Sequence, residues 1–244
     1  STVGKSNFAI IDVSNPYSPQ VISSIDSDTN LYQAMSVFVS GKYAYVANYD
    51  VSGGKSNFAI IDVSNPYSPQ LISSIDNDTN LSPAISIYVS GKYAYVANYD
   101  VSASKANFSV IDISNPYNPQ VTGIIKNDTN LYQATSVYVS GRYAYVANYV
   151  TTAGRSNFAV IDVSNPYAPT VVGSIDDDVT LSSARSVFVS GKYAYVADNN
   201  ADAGYSNITI IDVSNPSYPR VVSSIDNDTN LANAISVFVS GKYA

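Results

Sequence analysis

Residues 58–66 read Phe-Ala-Ile-Ile-Asp-Val-Ser-Asn-Pro, and residues 89–97 read Val-Ser-Gly-Lys-Tyr-Ala-Tyr-Val-Ala. Both stretches return about every fifty residues along the 244-residue chain, and residues 1–50 and 51–100 are identical at 40 of 50 positions. A period of this length, filled with short apolar runs and turn residues, is typical of one propeller blade or one solenoid coil per repeat. The repeat therefore decides the fold.

One repeat contains four predicted strands, which we call A to D in chain order. They are residues 84–90, 93–98, 107–113 and 120–125. The tight turn Gly91-Lys92 separates strands A and B, and a segment with two prolines, 114–119, separates strands C and D. Short connections favour an antiparallel meander. Several strands are apolar on both faces, so each sheet must be covered on both sides by neighbouring sheets.

The sequence thus predicts an all-β fold, a five-bladed β-propeller of four-stranded antiparallel blades that forms a single domain over residues 1–244. Four blades are contiguous, at residues 34–76, 84–126, 134–176 and 184–226. The fifth would combine strands C and D of residues 1–26 with strands A and B of residues 234–244, and this pairing would close the ring. Strand B of that closing blade is short, so the sequence also allows a segment of a longer repeat protein.

The two quoted motifs resemble the LVIVD repeat, a family named for its Leu-Val-Ile-Val-Asp strand. The match recurs in all five copies, with Phe or Ile at the leading position: Phe8, Phe58, Phe108, Phe158 and Ile208. The resemblance implies a propeller of the kind associated with bacterial and archaeal surface or secreted proteins, and hence an extracellular or cell-surface location in a prokaryote. It implies no particular activity.

Composition excludes several classes of chemistry. The chain has no Cys and no His, and all 19 of its acidic residues are Asp. Ser-His and Cys-His nucleophiles, ordinary zinc sites and disulfides are therefore absent from its sequence. The net charge of −7 disfavours nucleic acid as a partner, and the longest apolar runs are far too short for a membrane span. We expect a protein that is not an enzyme and that uses no cofactor and no metal.

The loops from strand D to strand A leave one metal alternative open. Asp76-Asn77-Asp78-Thr79-Asn80 places oxygen ligands at its first, third and fifth positions, as calcium loops do. However, Leu81 stands where a calcium loop needs glycine, and no Glu follows. Turn chemistry is therefore the favoured interpretation of these loops. The Asp of strand C, such as Asp62, is predicted to cap the turn that follows it.

Differences among the copies concentrate in the B-to-C and D-to-A loops, which a meander places on the same face, while the A-to-B turn is nearly constant. Free drift of loops explains such variation, and so does an interaction face on a constant scaffold. Our leading hypothesis is a scaffold for protein interaction or adhesion whose unknown partner is a protein or a glycan. The candidate binding residues are Tyr32, Gln33, Tyr49, Asp50, Tyr99, Asp100, Tyr132, Gln133, Tyr149, Asn199, Asn200 and Asp202.

Two other functions are considered. A carbohydrate-binding lectin would have pockets between blades, lined by the Tyr, Asn and Asp residues in which the repeat is rich. An enzyme such as a glycosidase needs unlike carboxylates that converge on one site. Near-identical repeats do not readily build one asymmetric site, so the enzyme is the least favoured of the three functions.

Overall fold

A computed structural model describes residues 6–50, 53–100, 105–150, 153–199 and 206–244, and this part of the chain contains strands joined by turns. The strands are β1 (Phe8–Asp12), β2 (Gln20–Ile25), β3 (Ala34–Ser40), β4 (Tyr43–Asn48), β5 (Phe58–Asp62), β6 (Gln70–Ile75), β7 (Ala84–Ser90), β8 (Tyr93–Asn98), β9 (Phe108–Asp112), β10 (Gln120–Ile125), β11 (Ala134–Ser140), β12 (Tyr143–Asn148), β13 (Phe158–Asp162), β14 (Thr170–Ile175), β15 (Ala184–Ser190), β16 (Tyr193–Asp198), β17 (Ile208–Asp212) and β18 (Arg220–Ile225).

These strands form five antiparallel sheets. Four of them are meanders of four strands in chain order, namely β3–β6, β7–β10, β11–β14 and β15–β18, and β1 pairs with β2 in a two-stranded sheet. The predicted all-β class, the strand order and the repeat are confirmed. Each predicted C strand is about two residues shorter than expected, because the structure places its flanking Asn and the residue after Asp outside the strand.

Local turn chemistry explains where the strands end. Gly41 has a φ of 58° at the first position of the two-residue turn between β3 and β4, where glycine adopts this conformation without a steric penalty. At the end of β5, Asp62 Oδ1 accepts the N–H of Ser64 at 2.9 Å. The same bond recurs in all five copies, so the predicted capping role of this Asp is confirmed.

Neighbouring sheets stack face to face. Tyr45, Phe58 and Ile60 of one sheet form a cluster with Ile87 and Ile111 of the next, and equivalent clusters fill the following junctions. Phe58 is fully buried there, which contributes about 1.5–3 kcal/mol of transfer free energy. The prediction that both faces of a blade are covered is therefore confirmed for the interior sheets, and the tyrosines of strand B belong to this packing.

The first strands of successive sheets lie side by side and carry a column of aromatic rings. Phe38, Tyr88, Tyr138 and Phe188 contact one another in turn, and Phe238 continues the column, with ring centroids 4.8–4.9 Å apart. This places strands β3, β7, β11 and β15 at the inner edge of the array. Burial raises the pKa of the Tyr88 phenol to about 12, with Tyr138 beside it adding to the shift.

Closure of the ring is not confirmed. Among the described residues, β1 has only β2 as a sheet neighbour, and residues 234–244 contribute one isolated bridge, between Ser240 and Tyr243. The blade predicted from residues 1–26 and 234–244 is thus not assembled in this structure. Its pairing stays a prediction.

Candidate binding surface

The B-to-C and D-to-A loops contact each other on one face of the array, which we call the loop face. The N–H of Ser56 donates to the carbonyl of Thr29 at 2.9 Å, and that of Ser156 to the carbonyl of Thr129 at 2.7 Å. Each of these bonds joins the end of a B-to-C loop to the D-to-A loop that leads into the same sheet. The two variable loop types therefore share a face, as the meander predicts.

An asparagine before each C strand fixes the D-to-A loop. Asn57 Oδ1 accepts the N–H of Asn77 at 2.8 Å, while its amide group donates to Asp78 Oδ1 at 3.2 Å. Asn107 and Asn157 make the same pair of bonds with their own loops. The middle Asp of the suspected calcium loop is thus a hydrogen-bond acceptor for the scaffold. Among the described residues, no group of three potential metal-ligating side chains gathers.

The residue after each B strand is held beside the end of the D-to-A loop. The N–H groups of Tyr49, Tyr99 and Tyr149 donate to the carbonyls of Gln33, Pro83 and Gln133 at 2.9–3.0 Å. Asn199 makes the equivalent bond to Ser183. Tyr49, Tyr99, Tyr149 and Asn199 are all half-buried. Backbone geometry therefore fixes these candidates on the loop face. Gln33 is exposed and Gln133 half-buried. Asn200 and Asp202 lie outside the described residues.

Asp50 and Asp100 differ from the half-buried candidates because both are buried, at 1% and 3% exposure. Asp50 Oδ2 accepts the N–H of Lys55 at 3.2 Å, and Asp100 Oδ2 accepts that of Lys105 at 3.0 Å. These carboxylates close their own B-to-C loops. The structure thus places two of the twelve candidates inside the loop.

Half-buried tyrosines of three sheets and an arginine of a fourth interact electrostatically on the loop face. Burial raises the pKa of the Tyr99 phenol, Arg185 opposes that shift, and Tyr149, Tyr132 and Tyr49 add to it. Arg185 also lies over the ring of Tyr149, 4.1 Å from its centroid. We call Tyr49, Tyr99, Tyr132, Tyr149 and Arg185 the tyrosine–arginine cluster. It brings together five side chains from four successive repeats.

Two further cations lie on tyrosines of this face. Lys55 Nζ is 3.5 Å from the ring centroid of Tyr32, and the guanidinium of Arg155 is at the same distance from Tyr132. None of Lys55, Arg155 and Arg185 was among the candidates predicted from the sequence. For Lys55 and Arg155 the available signal was a basic residue at one repeat position, shared with Lys5 and Lys105, whereas Arg185 is the single basic residue at its own position.

A separate groove lies on the outer rim, between the sheets β3–β6 and β7–β10. Its volume is about 460 Å³. Its polar lining includes Asp76 and Asn77 at the end of β6, Asn80 of the D-to-A loop, and Tyr117 and Asn118 from the proline turn of the next sheet. This is the position between blades that the lectin hypothesis requires.

The face opposite the loops carries the constant A-to-B turns. There, Arg142 forms an ion pair with Asp162, the single salt bridge among the described residues. The hydrogen bonds from Ser164 and the Arg142 guanidinium lower the pKa of the Asp162 carboxyl to about 2. This face is therefore polar and internally paired.

The fold and its five-fold internal repeat define a repeat protein with propeller-like stacked sheets. The LVIVD repeat model matches residues 2–27, 33–77, 83–127, 133–177 and 182–227. The chain therefore belongs to the LVIVD repeat family, as the motifs indicated. No curated protein matches its sequence.

Solved structures share the fold at low identity. A protein from Lactobacillus plantarum is 14% identical, with a TM-score of 0.67 over 93% of this chain and 66% of that one. The computationally designed Ika8 protein is 10% identical, with a TM-score of 0.64 over 98% and 61%. A putative 6-phosphogluconolactonase from Bacteroides uniformis is 13% identical, with a TM-score of 0.65 over 88% and 62%. The chain thus spans about three-fifths to two-thirds of the length of these proteins. No helix in the described ranges is long and apolar enough to cross a membrane.

Proposed function

We propose that this chain is a non-enzymatic binding scaffold that holds a protein or glycan partner on its loop face. The observation that carries the proposal is the tyrosine–arginine cluster, in which Arg185 lies 4.1 Å from the ring centroid of Tyr149 and tyrosines of three successive sheets interact electrostatically. Tyrosine and arginine supply large contact area and directed hydrogen bonds, and both are enriched where interfaces are strongest. Similar copies along the array favour several weak contacts acting together.

The described carboxylates support the non-enzymatic part of the proposal. Asp50 and Asp100 bind the backbone of their own loops, and Asp78 binds Asn57. A glycosidase needs two opposed carboxylates that face a substrate, and these groups instead face the scaffold. The likeness to a putative lactonase at 13% identity concerns the fold alone.

We further propose an extracellular or cell-surface location in a prokaryote, with adhesion as the setting in which repeated weak contacts are useful. Family resemblance and the absence of Cys from the sequence are compatible with this setting. Fractionation of the native host, with an antibody against the chain, tests the location. Recovery in the cytoplasmic fraction alone would contradict it.

Binding is tested with immobilised collagen, fibronectin, mucin and peptidoglycan as probes in a surface-plasmon-resonance panel. We expect Tyr49→Ala and Tyr99→Ala to weaken whichever interaction is found while the melting temperature stays unchanged. Lys92→Ala and Lys192→Ala, on the constant turns of the opposite face, are the matched controls. Equal losses from the two faces, or no binding to any probe, would contradict the scaffold proposal.

The outer-rim groove supports a second candidate function, a lectin with pockets between sheets. Its Tyr, Asn and Asp lining offers a ring face and hydroxyl partners for a neutral sugar. A glycan array with the wild type and Tyr117→Ala tests it. Tyr17→Ala is the control, because Tyr17 has the same repeat position but is 97% exposed on the two-stranded sheet. An array without signal from folded protein would eliminate this candidate.

A further inference from the structure

The cations of the loop face lie closer to tyrosine rings than the cations of the A-to-B turns on the opposite face, which are 5.2–5.4 Å from a ring centroid. The chain carries a net charge of −7, yet the described part has one salt bridge, and it lies on the opposite face. On the loop face, Lys55, Arg155 and Arg185 are each held over a tyrosine ring at 3.5–4.1 Å. A cation over a ring keeps its full charge, because the ring offers only its quadrupole. Three cations are therefore held at fixed positions on a face whose loops also carry many of the aspartates.

The geometry leaves these cations able to bind an anion. A guanidinium that stacks on an aromatic face keeps its N–H donors in the plane of the group, where a carboxylate can accept two of them. Arg185 reaches Tyr149 from the next sheet, so its guanidinium is fixed above the cluster before any ligand arrives. Such preorganisation lowers the entropy that binding must overcome.

The side chains around the cations favour a hydroxylated ligand over a peptide. The phenols of Tyr49, Tyr99 and Tyr149 are both donors and acceptors, and Gln133 and Ser183 flank them on the D-to-A loops. Peptides are held by free strand edges, by apolar side-chain pockets or, when they are acidic, by clusters of arginines. The tyrosine–arginine cluster has one arginine among four tyrosines, so phenols dominate its polar groups. A sugar ring, by contrast, needs an aromatic face and hydroxyl partners, and a uronic acid adds the carboxylate.

We propose that the tyrosine–arginine cluster binds an acidic oligosaccharide that bears uronic-acid carboxylates, with Arg185 at a carboxylate and the phenols of Tyr99 and Tyr149 at sugar hydroxyls. The proposal rests on the loop-face binding function above and names its ligand class. It is distinct from the outer-rim groove, whose described lining includes no cation. Arg155 and Lys55 supply further cations on the same face for a longer chain.

Isothermal titration calorimetry with oligogalacturonate tests the proposal, and the fully methyl-esterified oligomer is the neutral match. We expect the acid to bind and the ester to bind at least tenfold more weakly, since the ester loses the charged hydrogen bond to Arg185. The affinity for the acid should fall as NaCl is raised. Equal affinity for acid and ester would overturn the proposal, and so would no binding of either.

Variants assign the site. Arg185→Gln should weaken oligogalacturonate binding about tenfold and remove most of its salt dependence, whereas Arg142→Gln on the opposite face should leave it unchanged. Unchanged near-ultraviolet circular dichroism confirms that each variant is folded. Tighter Arg185-dependent binding of a polyglutamate peptide would overturn the sugar assignment. Loss of matrix-protein binding in Tyr99→Ala without any binding of oligogalacturonate would overturn this inference and leave the scaffold function intact.

Discussion

Valines at equivalent repeat positions are core residues in the middle of the array and surface residues at its end. Val137 and Val139 of β11 are both 5% exposed, whereas Val37 and Val39, at the same repeat positions of β3, are 53% and 59% exposed. β11 packs against the complete sheet β7–β10, through Tyr95 and Phe108 among others. In front of β3 lies only the two-stranded sheet of β1 and β2. One repeat thus specifies a surface, and its neighbour turns that surface into core.

The other end of the array shows the same difference. Ile235 and Phe238 are 68% and 70% exposed, although they continue the packing pattern of the inner strands. The N–H of Val237 still donates to Ser186 Oγ at 3.2 Å, the bond that links successive inner strands throughout the array. The polar link between repeats therefore persists where the apolar cover ends. Most of the stability should consequently reside in the apolar junctions.

The largest effect should come from truncating one isoleucine at an interior and at a terminal copy. Ile161 is fully buried, and Ile11 at the same repeat position is 52% exposed. We expect Ile161→Ala to lower the free energy of unfolding by about 3 kcal/mol and Ile11→Ala by less than about 1 kcal/mol. Urea unfolding followed by circular dichroism measures both. Equal losses would show that Ile11 is covered in solution, which is the result that ring closure predicts.

A second comparison concerns two kinds of junction on the outer strands. Ser23 and Ser73 donate their hydroxyls to the carbonyls of Pro66 and Pro116 in the next sheet, at 2.5 and 2.6 Å. Gly123 occupies this position in the sheet β7–β10, and Gly173 in the sheet β11–β14. A Cβ added at Gly123 would lie 2.8 Å from Pro169 Cδ and closer still to the Pro166 carbonyl oxygen. The sheets therefore approach more closely at the glycine junctions.

Filling that close approach should destabilise the protein by an intermediate amount. We expect Gly123→Ala to cost about 2 kcal/mol, because backbone atoms of the next sheet must move to make room. Ser223→Ala is the terminal control at the same repeat position, where the side chain is exposed, and it should change stability by less than about 0.5 kcal/mol. If Gly123→Ala left the free energy of unfolding unchanged, the sheets β7–β10 and β11–β14 would be able to move apart without destabilising the protein.

What the sequence could predict was local or repeated. Asp62 with Ser64, Gly41 in its turn and the apolar faces of the strands follow from residues that are neighbours in the chain or in every copy. The contact of Arg185 with Tyr149 depends on how one sheet sits against the next, and no pattern within a repeat contains that information. Loop variability selected both Asp50 and Tyr49 as binding candidates. It could not show that Asp50 is buried and closes its own loop, whereas Tyr49 is half-buried on the loop face.

Ring closure also depends on how one sheet sits against the next, which the sequence of a single repeat does not contain. The number of repeats in a turn depends on the angle between sheets, and packing between sheets, such as that of Gly123 with Pro166, contributes to that angle. In the sequence the change from Ser73 to Gly123 looks like ordinary drift between copies. In the structure it is a change in how closely two sheets approach, so its consequence lies outside any single repeat.

The fourth four-stranded sheet differs from the other three at one buried position. Asn48 donates its amide to the carbonyls of Asn30 and Ser56 at 2.9 and 3.1 Å, and Asn148 makes the equivalent pair of bonds. Asp198 occupies this position in the fourth sheet and is fully buried. Its Oδ2 lies 3.1 Å from the hydroxyl of Thr209, which also contacts the Thr180 carbonyl. That hydroxyl has one hydrogen for two acceptors, which favours the protonated form of Asp198.

Burial therefore raises the pKa of Asp198 well above its usual value of 3.8, and the charge of Asp177 adds to the shift. At a pH between the pKa of Asp198 in the unfolded chain and its higher pKa in the folded protein, the folded state binds more protons than the unfolded state. Stability should therefore fall as the pH rises through that window. We expect Asp198→Asn to remove this slope and to stabilise the protein by about 1 kcal/mol at neutral pH, with little effect below the unfolded pKa. Asn148→Asp should introduce the same slope into the third sheet. Urea unfolding across the pH range measures all three proteins, and parallel profiles for wild type and Asp198→Asn would mean that Asp198 is ionised in the folded protein.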